Sequence, residues 1–535
     1  MKKVVSLLLA LLLVMSALFT LAACSNPQTP DDPKKEDPAQ PGEKPNEKPD
    51  GTPDEEPDDD PDDDPDDDPD ERIPLGLDPA QYSYDNASYH ILEWACGGQD
   101  SAPASWIPWE ECDVDMLDGG MLTQAVYERN AWVEETFKVE ITKEYCSVDA
   151  SVPHIERMRM NRASQLDEFQ LVTQRSRQLI GMVQEELMYD MNELNGTILH
   201  IDQPWWVQNS VESYTLGPHL YVASTEMLLR DKGATAALYF NQTMVEDYTD
   251  QLPNFFELVD NMDWTFDNMI AACEIVSHPN DGDDLMNSAE DIWGMIGGDD
   301  PIFFLYASTG RQFAHIDEGG YLEYDFGDEG SDSILVMQEI YEDVMYADWY
   351  LNTVVDTKVL ADYEGELFPD GKVLFAGGMV KSATNYSEMN DLYGILPYPM
   401  YDEDQDGYHS LVWIHHDSVL GIPADVKDIE MCAVILEALS WESYYSVYPK
   451  FYETILLDRT AKEENSKRML QLIFQTRVYD PGQYWDTGTG LHHAQGLLRL
   501  TARESSDIMS VWKQFEGKVE ECVKDINKMI SDLEE

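Results

Sequence analysis

Tyr89-His90-Ile91-Leu92-Glu93-Trp94 is an apolar and aromatic run that ends in the turn-rich segment Ala95-Cys96-Gly97-Gly98-Gln99-Asp100. It reads as a first strand that hands the chain to a loop, and the folded body starts beside it, near Ser88. Downstream, Leu122, Val126, Val133 and Phe137 fall on one face of a helix. Val139-Glu140-Ile141-Thr142 reads as a second strand and Phe169-Gln170-Leu171-Val172-Thr173 as a third, with helix-like sequence resuming at Arg177. Alternation of strand and helix predicts an α/β body with a largely parallel sheet.

Further motifs extend this reading. Ala125-Val126-Tyr127-Glu128-Arg129-Asn130, followed by Val133-Glu134-Glu135, resembles the first helix of the family 1 extracellular solute-binding proteins, the group that includes maltose-binding protein. Five later stretches agree with that family in order: Pro204-Trp205-Trp206 before Tyr221, Leu238-Tyr239-Phe240-Asn241-Gln242-Thr243, Trp264-Thr265-Phe266-Asp267, Phe368-Pro369-Asp370-Gly371-Lys372-Val373-Leu374-Phe375, and Tyr393-Gly394-Ile395-Leu396-Pro397-Tyr398-Pro399. The resemblance covers residues 88 to 535. It implies a two-lobed, periplasmic-binding-protein-like α/β fold of type II with three hinge crossings and a C-terminal amphipathic helix. The crossings are expected near Ser224 to Asp231, Ile395 to Pro399 and Ile455 to Ala461. The first lobe is then 86–227 plus 398–457, and the second 228–397 plus 458–535. At the C-terminus, Ile508, Trp512, Phe515, Val519, Cys522, Ile526 and Met529 step by four and three. In the resembled family such a helix docks on its own second lobe, and that is expected here rather than a partner helix.

Upstream of the body, Lys2 and Lys3 precede an apolar run from Val4 to Leu21, and Leu21-Ala22-Ala23-Cys24 resembles the lipobox of bacterial lipoproteins. The competing reading is an uncleaved membrane span, since the run borders on the length of one. The small residues, the Cys and the polar tail behind it favour a signal peptide over 1–23 and a lipid anchor on Cys24. Two or more acyl chains hold a protein on a membrane stably. The expected location is therefore the extracytoplasmic face of the cell membrane. Residues 24–85 carry the lipidated Cys and then a disordered, acidic linker rich in Pro and Asp, in which Pro57 to Asp70 repeats Pro-Asp-Asp-Asp every four residues. Extended by proline and charge repulsion, it spans on the order of 150 Å. A solvated spacer explains the Asp run better than calcium binding does.

The 535 residues carry a formal charge of −71. Lys2 and Lys3 contribute +2 and residues 31 to 71 contribute −17, which leaves −56 on the chain from Arg72 onward. Such a body repels phosphate backbones, so nucleic acid is excluded as a partner. The same average disfavours anionic solutes, unless a local basic pocket overrules it. The 13 Trp, 28 Tyr and 16 Phe suit a large core and also carbohydrate binding through ring faces. Apart from Cys24 there are six cysteines. Cys273, Cys432 and Cys522 sit in helical apolar patterns as buried thiols, while a bridge among Cys96, Cys112 and Cys146 stays open.

Nothing in the spacing singles out a catalytic site. There is no Gly-x-Ser-x-Gly elbow, no His-Glu-x-x-His helix and no phosphate loop. His415-His416 and His492-His493 are neighbours that face opposite sides of a strand and make poor joint metal ligands, so surface or hinge positions are expected. Asp402, Asp404, Asp406 and Gly407 copy half a calcium loop, but Trp413 stands where the bidentate Glu belongs. Asn280-Asp281-Gly282-Asp283-Asp284 is a more degenerate candidate. No metal, no cofactor and no enzymatic activity are expected.

The expected ligand contacts come from loop positions and from the resemblance: Trp94, Gln99 and Asp100 after the first strand; Gln174 and Arg175 after the third; Thr235 at the entry to the second lobe; Gly378 and Met379 after the strand through Phe375; Tyr484 and Trp485 in a late segment that often supplies a stacking ring. Trp205 and Trp206 are framework in the resembled family and are expected to pack. The resemblance implies a monomeric, lipid-anchored receptor of an ABC importer that hands a neutral oligosaccharide to permease subunits. A surface adhesin or sensor without a permease, and a tethered glycoside hydrolase, are the alternatives.

Overall fold

A computed structural model describes residues 72–95, 109–114, 120–147, 153–282, 284–287, 289–327, 331–353, 367–387, 389–457, 464–485 and 507–534. The signal peptide, Cys24 and the acidic linker lie outside the described residues, as do Gln99, Asp100 and the third expected crossing beyond Leu457. The chain from Arg72 onward is one compact unit.

Thirteen strands run through the described residues: β1 (Ala87–Ala95), β2 (Val139–Ser147), β3 (Leu171–Gln174), β4 (Ala236–Asn241), β5 (Trp293–Gly297), β6 (Ala314–Ile316), β7 (Leu322–Tyr324), β8 (Tyr350–Asn352), β9 (Val373–Met379), β10 (Tyr393–Leu396), β11 (Ser410–Leu411), β12 (Val419–Gly421) and β13 (Arg477–Val478). One sheet has the order β12-β3-β1-β2 and the other β10-β4-β9-β5-β8. The helix expected around Leu122 to Phe137 spans Met121–Phe137 and buries Leu122, Val126, Val133 and Phe137. Asn241 ends β4 and caps the next helix, its side chain accepting the Met244 backbone N–H.

Neither sheet is wholly parallel, and the exceptions share a cause. β1, β2 and β3 are parallel, while β12 runs against β3. β5, β8 and β9 are parallel and β10 points the same way, while β4 runs against both β9 and β10. The reversed strands are the two entered directly from the other sheet: β4 after the first passage and β12 after the second. A strand reached without a helical crossover starts at the edge where its neighbours end. The starts of β4 and β12 therefore lie at the carboxyl edges of the parallel strands.

The chain passes from the first sheet to the second between Ala223 and Ala236. Ala223 still bridges to Leu420 beside β12, and Ala236 already pairs with Met379 in β9. The return passage lies between β10 and β12. Met400 exchanges backbone hydrogen bonds with the segment around Trp264, and the Tyr408 hydroxyl donates to the Val259 carbonyl at 3.3 Å. Trp413 stacks on Phe303 of the buried helix Pro301–Ser308. Apolar contacts on the second sheet thus hold the chain until about residue 413.

The C-terminal helix Glu516–Glu534 docks on the β6–β7 hairpin. Asn527 accepts the Leu322 N–H at 2.8 Å and donates to the Leu322 carbonyl at 2.9 Å. Ile508, Trp512, Val519, Cys522 and Ile526 are buried, and Ile530 rather than Met529 completes the stripe. Trp205 and Trp206 are packed at 1 % exposure each. Cys112, Cys146, Cys273, Cys432 and Cys522 are buried, and Cys112 and Cys146 are not bridged to each other. Among the described residues no helix is long and apolar enough to cross a membrane.

Candidate functional site

Strand direction assembles the site. The carboxyl ends of β1, β3 and β9 present Trp94, Gln174 and Met379, and the starts of β4 and β12 add Thr235 and Asp417 at the same edges. Open α/β sheets bind ligands at such edges because side chains there are held by strands yet face a crevice.

On the first sheet, Leu92 pairs with Val172. Two residues further along that register, Trp94 lies beside Gln174. Trp94 is 1 % exposed, with the Arg175 guanidinium 5.2 Å and the Arg230 guanidinium 5.3 Å from its ring centroid. Gln174 is buried, and its side-chain carbonyl accepts the Arg175 N–H at 2.9 Å. Asp417 accepts the Ser176 backbone N–H at 3.2 Å. Burial pushes its carboxyl up to about 8, against the pull of Ser176 and Arg175.

On the second sheet, Thr235 is fully buried, its hydroxyl donating to the Asp231 carbonyl at 3.1 Å and its own carbonyl accepting the Val380 N–H at 2.8 Å. Gly378 and Met379 are half-buried, paired with Ala237 and Ala236. Lys381 follows them and reaches His416 of the second passage, Nζ to Nδ1 at 3.2 Å. Burial, then Lys381, His415 and Arg175, hold the His416 imidazole neutral, down to about 2. His416 thus lies beside Lys381 on the return passage.

A buried charge cluster fixes the floor. The turn Arg230–Gly233 is wholly buried although three of its four residues are charged. Arg230 donates to Glu93 at 2.9 Å and to the Trp94 carbonyl at 2.6 Å. Glu111 accepts the Leu229 and Arg230 backbone N–H groups at 2.8 and 3.0 Å and the Ser418 hydroxyl at 2.7 Å, so one carboxylate ties both passages together. Asp231 accepts from Ser224 at 2.6 Å, Tyr479 at 3.0 Å and Arg477 at 3.2 Å. Gly233 closes the turn under Trp109, where a Cβ would come within 2.1 Å of the ring. Glu93, Glu111 and Cys112 offer ligand atoms within 4.8 Å of one another. Arg230 already lies on both carboxylates, which makes this an ion cluster rather than a place for a metal. The same engagement removes Glu93 and Glu111 as a hydrolase pair.

Tyr484 and Trp485 lie in and just after the short helix Pro481–Tyr484, which packs against the helix Ser176–Val183 that follows Gln174 and Arg175. Tyr484 is buried, donates to the Ser213 carbonyl at 2.6 Å and packs on Tyr214 with centroids 4.4 Å apart. Trp485 is 1 % exposed and belongs to the apolar core. The acidic turn at Asp402 to Asp406 is exposed and its side chains serve the turn: Asp402 accepts the Asp404 N–H at 3.0 Å. Ser176, Arg230, Lys381 and Asp417 were not singled out in the sequence. The signal for the last two is positional, since Lys381 follows the end of one strand and Asp417 precedes the start of another.

No family model matches the sequence, and no curated protein does. Solved structures do match. An ABC substrate-binding protein of Listeria monocytogenes in complex with cycloalternan aligns over 84 % of this chain and 100 % of its own, at 10 % identity and a TM-score of 0.50. A sugar transporter of Rhizobium etli in an open conformation aligns over 81 % and 99 %, at 12 % identity and a TM-score of 0.54. UspC of M. tuberculosis aligns over 81 % and 100 %, at 12 % identity and a TM-score of 0.52. The chain has the two-lobed, periplasmic-binding-protein-like fold. The two sheets are its lobes, and the edges carrying Trp94, Gln174, Thr235 and Met379 face the junction between them.

Proposed function

We propose that this chain is the solute-binding component of an ABC importer. It takes a saccharide at the junction of the two sheets and delivers it to the permease subunits. The observation that carries the reading is the convergence of strand ends from both lobes on one junction, floored by the ion cluster that ties the passages together. The similar proteins lend it support, one being solved with cycloalternan bound and another being a sugar transporter. Closure of the lobes around the solute is the mechanism, a hinge motion the permease senses. In this reading Cys24 anchors the protein to the extracytoplasmic face of the membrane, the acidic linker is its leash, and the receptor is a monomer without enzymatic activity.

The test is a ligand screen. A saccharide that binds the folded state alone raises the melting temperature. It should also reduce the radius of gyration in solution scattering as the lobes close. No thermal shift across a broad panel of glycans and peptides would defeat the reading.

A further inference from the structure

A second hollow in the molecule shares no residue with the Trp94 edge. It is a groove of about 760 Å³ beside the helices Tyr448–Leu457 and Glu464–Gln475. Its two sides have the same period and different chemistry. Tyr444, Tyr448 and Tyr452 recur every four residues and form an aromatic rail, extended by Phe474, whose ring centroid is 5.3 Å from that of Tyr452. Lys467, Gln471 and Gln475 recur every four residues and form a polar rail. Side chains four apart on a helix share a face, and a rail of this kind is about 12 Å long, the reach of a short oligosaccharide. The tyrosines are half-buried and the polar rail is exposed. The Tyr444 and Tyr448 rings are within 15° of parallel, with centroids 6.5 Å apart.

The polar groups of the groove suit hydroxyls. The side chains of Lys467, Gln471 and Gln475 have no hydrogen-bond or ion-pair partner among the described residues, so the two amides offer donors and acceptors together. Gln208 and Asn209 add acceptors. The Gln208 amide nitrogen donates to the Ile201, Gln203 and Trp206 carbonyls at 3.0, 3.2 and 2.9 Å, and that of Asn209 to the Arg477 carbonyl at 2.6 Å, which leaves their side-chain oxygens for a ligand. The other charges of the lining are cancelled nearby: Glu226 pairs with Lys232 at 3.0 Å, Arg477 with Asp231 at 3.2 Å and Glu453 with Lys450 at 2.9 Å. A ligand here meets rings, amides and little net charge. A pyranose matches all three, since its C–H faces stack on aromatic rings while each hydroxyl both donates and accepts. Proline-rich peptides also take aromatic grooves, but proline carries no N–H, so such a peptide leaves the Gln208 and Asn209 oxygens without donors.

We propose that this groove is a second saccharide site, in which a neutral oligosaccharide lies along the tyrosine rail and bonds its hydroxyls to Gln471 and Gln475. This goes beyond the junction reading, because the groove can hold a glycan whether or not the junction is filled. The Lys232 ammonium already lies over the Tyr448 ring, 5.5 Å from its centroid, so Tyr444 is the ring whose removal tests stacking. A receptor with two such sites holds a chain at one and takes its solute at the other.

The test is calorimetric titration of the full chain with neutral oligosaccharides of different linkage, namely maltohexaose, cellohexaose, xylohexaose and laminarihexaose, and with decaproline. At least one saccharide should bind with an affinity that Tyr444→Ala lowers about tenfold and Gln471→Ala about fivefold, while Gln174→Ala at the junction leaves it unchanged. Where the same saccharide also fills the junction, the isotherm should resolve two sites, one weakened by Gln174→Ala and the other by the groove variants. Gln471 is exposed and unpartnered among the described residues, so Gln471→Ala should keep the ligand-free melting temperature and decides the matter even if Tyr444→Ala loses stability. Saccharide binding that Gln471→Ala leaves unchanged overturns the second site and leaves the proposed function standing. Decaproline bound more tightly than every saccharide, and weakened by the same variants, also overturns it, in favour of a peptide groove. No binding by any of these saccharides overturns this inference, whatever the wider ligand screen shows for the junction.

Discussion

Glu437 is wholly buried, and both its carboxylate oxygens are engaged by one short segment of the chain. Trp205 Nε1 donates to it at 2.8 Å, Trp206 Nε1 at 3.0 Å and the His200 backbone N–H at 3.2 Å. Glu437→Ala would strand two buried indole donors and should cost about 3–5 kcal/mol. Urea unfolding checks it: the midpoint should fall with the slope unchanged. The Pro-Trp-Trp framework was legible in the sequence. Its acceptor was not, because it lies more than 200 residues away on the helix Ile429–Glu442 and no local pattern marks it. Asp417 gives a second test. Its folded value, about 8, is above the ordinary 3.8. The stability it contributes is therefore fully present below pH 3.8 and is lost as pH rises through 8. Between pH 6.5 and 8 the native chain should lose about 1–2 kcal/mol from this group, and Asp417→Asn should not. His416 does not confuse the comparison. Its folded value is lowered, so it costs stability only as pH falls below 6.5. A pH series of melting curves on the two proteins decides the matter.

At the scale of elements, the reversed strands β4 and β12 explain both what the sequence disclosed and what it withheld. The helix from Met121 to Phe137 and strands β1 and β2 carry their own periodicity, so their existence was readable. The direction of β4 and β12 depends on which sheet the chain has just left, which is a long-range property. Lys381 and Asp417 reach the site only through that geometry, and hence went unread, whereas Trp94, Gln174 and Arg175 followed from loops after simple strands. The C-terminal helix shows the limit of periodicity itself. Steps of four from Cys522 through Ile526 arrive at Ile530, the residue that is fully buried, while Met529 is only partly so. The docking of that helix is testable. Ile526 is 1 % exposed in the stripe above the β6–β7 hairpin. Ile526→Asp places a carboxylate in that apolar contact and should cost about 3–5 kcal/mol, or undock the helix outright. Undocking would be read as lost helical ellipticity and rapid proteolytic trimming of the last 30 or so residues, with the two-lobed body intact. A helix that stays protected in the variant would show that the Asn527 bonds to Leu322, rather than the apolar stripe, hold it.

For the whole molecule, two electrostatic patterns of opposite sign are superimposed. The chain from Arg72 onward carries −56, spread over its surface, while the interior of the hinge is a nearly balanced cluster of Glu93, Glu111, Arg230, Asp231, Lys232, Glu226 and Arg477. The two respond differently to ions. Surface charges repel across distances that salt shortens, with a Debye length of about 10 Å at 0.1 M. Pairs at 2.6–3.2 Å in a buried floor are screened much less. Self-repulsion is larger in the compact state than in the extended one, so salt should favour the folded chain. The ligand-free melting temperature should accordingly rise by a few degrees, on the order of 1–2 kcal/mol, between about 0.05 and 0.5 M sodium chloride. A ligand-free melting temperature that falls with salt would instead mean that the buried ion cluster, not the acidic surface, governs how this molecule answers to ionic strength.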